Sequence, residues 1–165
     1  MNRKGLFPGS FDPFTKGHEG VVLKSLSIFD EVIIGIGINS RKTYLFDIQK
    51  RIDHISSLFN QFPQIRVQTY QKLTVDFCKD INASHIIRGL RDSKDFEYEK
   101  SIAHMNQAIS GIETVFFLTS QEHGAINSSI IRELARYGQD VSEFVPPAVN
   151  TALRLMFSDA YSRRT

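Results

Sequence analysis

Apolar runs and helix-period segments alternate along the chain. Five runs have the length and composition of strands: Gly5–Pro8, Val32–Ile38, Ile65–Tyr70, His85–Ile87 continued into Arg88, and Thr114–Thr119. Val32–Ile38 and Val115-Phe116-Phe117-Leu118 show no polar alternation, the pattern of strands covered on both faces in a parallel sheet. Between the runs, helical periodicity covers about 17–29, 47–60, 74–82 and 93–110. On the last of these, Tyr98, Ile102, Met105 and Ile109 make a 4-3-4 apolar stripe. Two further helices are predicted near 128–137 and 146–157, the second opened by Pro146-Pro147, since proline is tolerated in a first helical turn.

Strands alternating with helices over this length predict an α/β fold. We expect a single Rossmann-like, doubly wound domain over residues 1–165, with a five-stranded parallel sheet and C-terminal helices. Residues 158–165 are polar and are expected to fray. In such sheets ligands bind beyond the carboxyl ends of the strands, where the winding reverses. The loops after strands one, two, four and five should therefore hold the chemistry.

Composition narrows the class without naming a reaction. An apolar fraction of 41% and a charged fraction of 23% are ordinary for a globular protein. A net charge of +2 gives no reason to expect a nucleic-acid or membrane partner. Cys78 is the single cysteine, so neither an intrachain disulfide nor a multi-cysteine metal site can form. Met1-Asn2-Arg3-Lys4 leads into no apolar stretch of signal-peptide length, and a cytoplasmic location is expected.

The loop after the first strand reads Pro8-Gly9-Ser10-Phe11-Asp12-Pro13-Phe14-Thr15-Lys16-Gly17-His18. A turn that opens a helix suits an anion, because the first peptide N–H groups lack intrahelical partners and the helix dipole favours negative charge there. Thr15 is the expected N-cap, which puts His18 in the first turn. An isolated histidine here would usually be an ordinary helix-start residue. Gly9, Gly17 and the strand-turn-helix context favour a ligand contact.

Basic residues recur in the other loops. Lys42 follows strand two and could reach a phosphate; Arg88 and Arg91 flank Gly89-Leu90 after strand four. Arginine forks match phosphate oxygens in pairs, although surface salt bridges would use the same residues. Glu99, on the next helix, could hold one of these arginines. Ser128 and Ser129 start a late helix, as plain caps or as donors to a second phosphate. No P-loop is present, and Gly35-Ile36-Gly37 lies inside a strand, where it makes a poor dinucleotide fingerprint. His54, His85 and His104 have no ligand-like spacing, and Cys78 beside Phe77 reads as packing.

These segments together carry a resemblance. The Thr15-Lys16-Gly17-His18 tetrad with the late Ile126-Asn127-Ser128-Ser129 is similar to the nucleotidyltransferase superfamily marked by a His-x-Gly-His motif. Arg88-Gly89-Leu90-Arg91, Asp95-Phe96-Glu97-Tyr98-Glu99 and Ala103-His104-Met105-Asn106 resemble the phosphopantetheine adenylyltransferase family of bacterial type within it, over nearly the whole length. Departures from the family pattern are Ser10 for a frequent Thr, Thr15 for the first His of the tetrad, Asn127 for a frequent Ser, and His123-Gly124 for an aromatic-Ser pair.

The resemblance implies reversible transfer of AMP from ATP to 4′-phosphopantetheine, giving dephospho-coenzyme A and pyrophosphate in coenzyme A biosynthesis. It implies that Ser10, Lys42, Thr74, Arg88 and Asn106 contact phosphopantetheine. It places Ser10, Phe11, His18, Gly89, Leu90, Arg91, Glu99, His123, Gly124, Ala125, Ile126, Asn127, Ser128 and Ser129 at ATP. His18, Lys42, Arg88, Arg91 and Ser10 would form the catalytic group, with no metal held by protein ligands and Mg²⁺ arriving on ATP. A homohexamer subject to feedback by coenzyme A is also implied.

The residues themselves suggest a direct route. A phosphate monoester is largely dianionic at neutral pH and can attack the α-phosphorus in line, with neither a protein base nor a covalent intermediate. Repulsion is the obstacle: two unit charges 4 Å apart cost about 4 kcal/mol at an effective dielectric near 20, so several cations are needed. Lys42, Arg88, Arg91 and His18 are the cations on offer. Two rivals remain open at this level. One is a related nucleotidyltransferase with a different phosphorylated acceptor; the other is a non-catalytic nucleotide-binding regulator.

Overall fold

The computed structural model describes residues 3–120, 122, 124 and 126–163. In chain order its elements are β1 (Lys4–Gly9), α1 (Lys16–Ser25), β2 (Glu31–Gly37), α2 (Ile48–Leu58), β3 (Ile65–Tyr70), α3 (Thr74–Asp80) and β4 (His85–Leu90). There follow α4 (Ser93–Ser110), β5 (Glu113–Leu118), α5 (Ser128–Arg136), α6 (Pro147–Met156) and α7 (Ser158–Ser162). The five strands form one all-parallel sheet in the order β3-β2-β1-β4-β5.

Side chains along the central strands alternate between two cores, as the pleat dictates. Phe7, Val32, Ile34, Ile36 and Ile87 meet Val21 and Val22 of α1 and Ile55 of α2 on one face. Leu6, Ile33 and Ile86 meet Val75 and Cys78 of α3 on the other. Both faces of β2 are thus covered, which is why its run contains no polar residue. β1 pairs with β2 on one side and β4 on the other, so the winding reverses between β1 and β4 and opens a crevice beyond Gly9 and Leu90.

A third cluster stands off the sheet. Ile131 and Ala135 of α5, Val149 and Leu153 of α6, and Val141 and Val145 surround Phe46, which the β2–α2 loop sends into them. The C-terminal helices therefore clamp one end of a loop expected to carry chemistry. Among the described residues no helix is long and apolar enough to cross a membrane.

Two expectations change, and the stripe on α4 gains a location. α1 stops at Ser25 rather than near 29, because the chain turns at Leu26, whose N–H bonds back to Leu23 and Lys24. The stripe on α4 lies outside the core: Tyr98, Ile102, Met105 and Ile109 are 69, 38, 63 and 55% exposed, and Glu99 is the buried residue of that helix. The tail expected to fray carries α7 as far as Ser162, with Tyr161 buried and Arg154 stacked 4.9 Å from the centre of its ring. Gly138, at φ +71, passes so close to Ala160 that a Cβ there would collide with its backbone carbonyl.

Candidate active site

The turn after β1 is built from aromatic packing more than from glycine. Phe11, not a glycine, takes the left-handed conformation at φ 50. Gly9 supplies space instead: a Cβ there would lie 2.7 Å from the Phe11 ring. The Phe11 ring stands perpendicular to the His18 imidazole at 5.2 Å between centroids, and Phe14 lies 5.3 Å from it on another side. The imidazole is held between rings, which fixes its plane.

Hydrogen bonds then fix its tautomer. Thr15 is the N-cap of α1, and its Oγ1 accepts from the His18 N–H at 3.4 Å. In return the Thr15 N–H donates to His18 Nδ1 at 3.0 Å, completing a capping box in which histidine takes the place usual for Glu or Gln. A peptide N–H can only donate, so Nδ1 bears a lone pair and the proton of the neutral ring sits on Nε2. Burial pushes the imidazole down to about 4, and the positive charges of Arg88 and Arg91 act in the same direction. His18 at neutral pH is therefore an uncharged N–H donor. The cationic role expected for it from the sequence is corrected accordingly.

Arg88 lies in β4 two residues after Ile86 and so shares its face of the sheet, where α4 supplies a partner. Its Nε donates to Glu99 Oε2 at 2.8 Å, Nη2 donates to Glu99 Oε1, and Nη1 donates to the Pro8 carbonyl at 2.9 Å. Three of its five N–H groups are thus engaged and two remain. Arg91 forms a fork with Asp95, Nε to Oδ2 at 2.7 Å and Nη2 to Oδ1 at 2.8 Å, which holds its pKa above the usual value. The salt-bridge reading of this pair is correct, and it coexists with a place on the wall of the crevice.

Two clefts open at the winding reversal and share Pro8, Gly9, Ser10, Tyr44, Arg88 and Glu99 as a common wall. The first, about 470 Å³, is lined by Ser10, Phe11, His18, Lys42, Arg88, Gly89, Arg91, Glu99, Ile126, Asn127, Ser128 and Ser129 among others. The second, about 650 Å³, runs from Ser10 and Arg88 past Tyr70 to Thr74 and Asn106. The anticipated site residues thus divide between two neighbouring cavities joined at Ser10 and Arg88.

Not every anticipated residue sits on these walls. Leu90 lines neither cleft; its side chain is buried and its carbonyl accepts from the N–H and hydroxyl of Thr119 at 2.9 and 3.1 Å. Gly124 is half-buried and lines neither. His123 and Ala125 lie outside the described residues. Lys42 is exposed and makes no ion pair among the described residues, so its ammonium is uncommitted.

The structure also adds residues that the sequence did not single out. Arg132 of α5 donates from Nη1 to the Asp12 carbonyl at 2.6 Å and from Nη2 to Ser129 Oγ at 3.0 Å, on the wall of the first cleft. Arg51 of α2 is buried beneath the β1–α1 loop; Nη1 donates to the Ser10 carbonyl at 2.8 Å, and the guanidinium stacks 4.1 Å from the Tyr44 ring centre. Tyr70 lies flat on Phe77 at 4.6 Å and shares a hydrogen bond of 3.1 Å with the Thr74 hydroxyl. Helical spacing could not flag Arg51, because a charged residue on an amphipathic helix reads as solvated. Among the described residues no group of three or more His, Cys, Asp or Glu side chains comes together to hold a metal ion.

Known proteins resemble this chain over most of its length. The pattern of the family described as cytidylyltransferase-like matches residues 6–134. The phosphopantetheine adenylyltransferase of Bacteroides thetaiotaomicron is 48% identical over 144 residues, covering 87% of this chain and 95% of that protein. The phosphopantetheine adenylyltransferase of Flavobacterium psychrophilum is 48% identical over 147 residues, covering 89% and 97%. That of Syntrophotalea carbinolica is 44% identical over 159 residues, covering 96% of each. A crystal structure described as a nicotinate-nucleotide adenylyltransferase from Vibrio parahaemolyticus superposes with a TM-score of 0.67 at 18% identity, covering 94% of this chain and 93% of that one. At that identity the likeness is one of fold.

Proposed function

The chain belongs to the cytidylyltransferase-like family and, within it, to the phosphopantetheine adenylyltransferases, and we propose that it transfers AMP from ATP to 4′-phosphopantetheine, releasing pyrophosphate and forming dephospho-coenzyme A. The observation that carries the reading is the pair of clefts meeting at Ser10 and Arg88. One cavity has the donors suited to a nucleoside triphosphate, and its neighbour, about 650 Å³, has room for the pantetheine arm.

We infer an in-line displacement. An oxygen of the acceptor phosphate forms a bond to the α-phosphorus while the bond from that phosphorus to the bridging oxygen of the β-phosphate breaks, and pyrophosphate leaves. Lys42 and the two spare N–H groups of Arg88 orient the acceptor. The Nε2 proton of His18 donates to an α-phosphate oxygen as charge builds in the pentavalent state. Arg91, Arg132 and the Ser128 peptide N–H at the opening of α5, whose Ser129 N–H is capped by Asn127, take the leaving phosphates. Ser10 donates its hydroxyl where the two substrates meet.

Mg²⁺ fits this site as a passenger on ATP rather than as a caged ion, since Asp12, Asp95 and Glu99 already accept hydrogen bonds. Bound with ATP, it would offset part of the phosphate charge that Arg91 and Arg132 also meet. The exposed stripe of Tyr98, Ile102, Met105 and Ile109 supports assembly of several copies, for which a homohexamer is the family-based expectation. The two adjoining clefts proposed for AMP and the pantetheine arm would also be the place for feedback by coenzyme A, and the lone buried Cys78 fits a reducing cytoplasm.

The test is pyrophosphate release. Release that requires both ATP and 4′-phosphopantetheine is expected. Release with nicotinamide mononucleotide in place of 4′-phosphopantetheine would give the activity to another acceptor. No release with either would point to a non-catalytic nucleotide sensor.

A further inference from the structure

The loop that carries Lys42 has few ties of its own. Residues 38–47 link β2 to α2, and Asn39 to Thr43 are exposed. A turn closed by the Lys42 N–H on the Asn39 carbonyl at 3.0 Å sets the local shape, and the Arg41 N–H donates to Asn39 Oδ1 at 2.9 Å. These bonds lie within the loop, so they shape it without placing it relative to the clefts.

Two side chains place it against the β1–α1 loop: Arg51 stacks on Tyr44 and donates to the Ser10 carbonyl, and Asp12 binds the loop's backbone directly. Asp12 is 5% exposed, and its two carboxylate oxygens accept from successive peptides of the other loop: Oδ2 from the Leu45 N–H at 2.7 Å and Oδ1 from the Phe46 N–H at 2.9 Å. The Phe46 ring is meanwhile 1% exposed in the cluster of α5 and α6. The end of the Lys42 loop is thus held by backbone on one side and side chain on the other. Asp12 belongs to the same loop as Ser10 and Phe11, so the two loops that wall the first cleft are tied at this point.

A carboxylate beside a site for two polyanions works against binding unless it serves another purpose. Both oxygens of Asp12 are occupied by N–H donors, and its own carbonyl accepts from Arg132. It makes no ion pair with a basic side chain among the described residues. Its bonds go to the Lys42 loop.

We propose that Asp12 is a positioning residue for the acceptor: by pinning Leu45 and Phe46 it sets where the Lys42 ammonium stands, and so acts on phosphopantetheine binding through Lys42. The proposal rests on the role assigned to Lys42 above.

The test is a double-mutant cycle read in KM and kcat. Asp12→Asn keeps the shape but turns an NH₂ group toward one of the two peptide N–H groups, breaking that charge-assisted bond. It is expected to raise KM for phosphopantetheine by roughly tenfold while KM for ATP moves by less than about twofold. In a Lys42→Ala background the same change should add little, because the residue it positions is gone. Two results overturn the proposal: equal rises in both KM values, or full additivity with Lys42→Ala. A Lys42→Ala enzyme with an unchanged KM for phosphopantetheine would instead remove the role of Lys42 and take this proposal with it. Should Asp12→Asn fail to fold, hydrogen exchange in the unmodified protein decides the geometry. The Leu45 and Phe46 amides are expected to be protected, and exchange as fast as at exposed Thr43 would overturn the tie.

Discussion

The Thr15 peptide N–H donates to Nδ1 of His18 across one turn of helix, at 3.0 Å. That bond does two things at once. It satisfies a donor at the start of α1, and it leaves the imidazole, on the wall of the first cleft, with its single proton on Nε2. The structural cap of α1 and the donor proposed for catalysis are the same side chain.

His18→Ala is therefore expected to lower kcat by about 10²- to 10³-fold, the usual cost of losing one donor to developing charge. KM for ATP should move far less. Steady-state kinetics with both substrates checks this, and losses of equal size in kcat and in ATP affinity would count against the role. His18→Gln, which can keep the capping box, should recover stability without recovering turnover.

His18 also sets a pH dependence of stability. Its folded value is held near 4, below the ordinary 6.5, so the unfolded chain binds the proton first as pH falls. Above about 6.5 the group contributes no penalty. Between 6.5 and 4 the penalty grows, toward roughly 3 kcal/mol below pH 4. Thermal unfolding from pH 7 to pH 4 should show a falling Tm that is shallower in His18→Gln. Parallel curves would refute the assignment.

Glu99 holds Arg88 with both carboxylate oxygens while the Arg88 side chain stays 31% exposed to the cleft. Glu99→Gln leaves the guanidinium without its counter-charge and without a fixed direction. A loss of about 1–3 kcal/mol is expected, below the full cost of breaking a wholly buried pair because water reaches Arg88. KM for phosphopantetheine should rise as well. Chemical denaturation and kinetics on one preparation measure both, and a variant as stable as its parent would show that the pair does not secure β4 to α4.

The C-terminal segment can be tested apart from the chemistry. Gly138→Ala places a methyl group against the Ala160 carbonyl at a φ that disfavours side chains. It should destabilise the protein by about 1–3 kcal/mol and expose Tyr161 to solvent, with kcat of the folded fraction unchanged. Near-ultraviolet circular dichroism and unfolding curves report the change. An unaltered Tm would mean that α7 does not dock where the structure puts it.

Much of the fold could be read from the order of residues. Val32 to Ile36 announced a strand buried on both faces, and Thr15 announced the start of a helix, because burial and capping leave local marks. Arg51 left no such mark. Its meaning depends on Ser10 and Tyr44, which reach it only after β1, β2 and α2 have packed. Tyr98, Ile102, Met105 and Ile109 were legible as a stripe on α4, but periodicity reports an apolar face and not what covers it.

From its residue order alone, the chain determined five strands with helices between them, the loops that would meet at their carboxyl ends, and the basic and hydroxyl groups those loops would bring. Those features follow from periodicity and from turn and cap chemistry, which act over a few residues. Three-dimensional packing alone decided that His18 is neutral, that Arg88 and Arg91 are held by Glu99 and Asp95, and that Asp12 ties the Lys42 loop to Ser10's. The physical reason is that protonation and hydrogen-bond partnership depend on solvent exclusion and on distances between segments far apart in the chain, and neither exists before the sheet has closed around them.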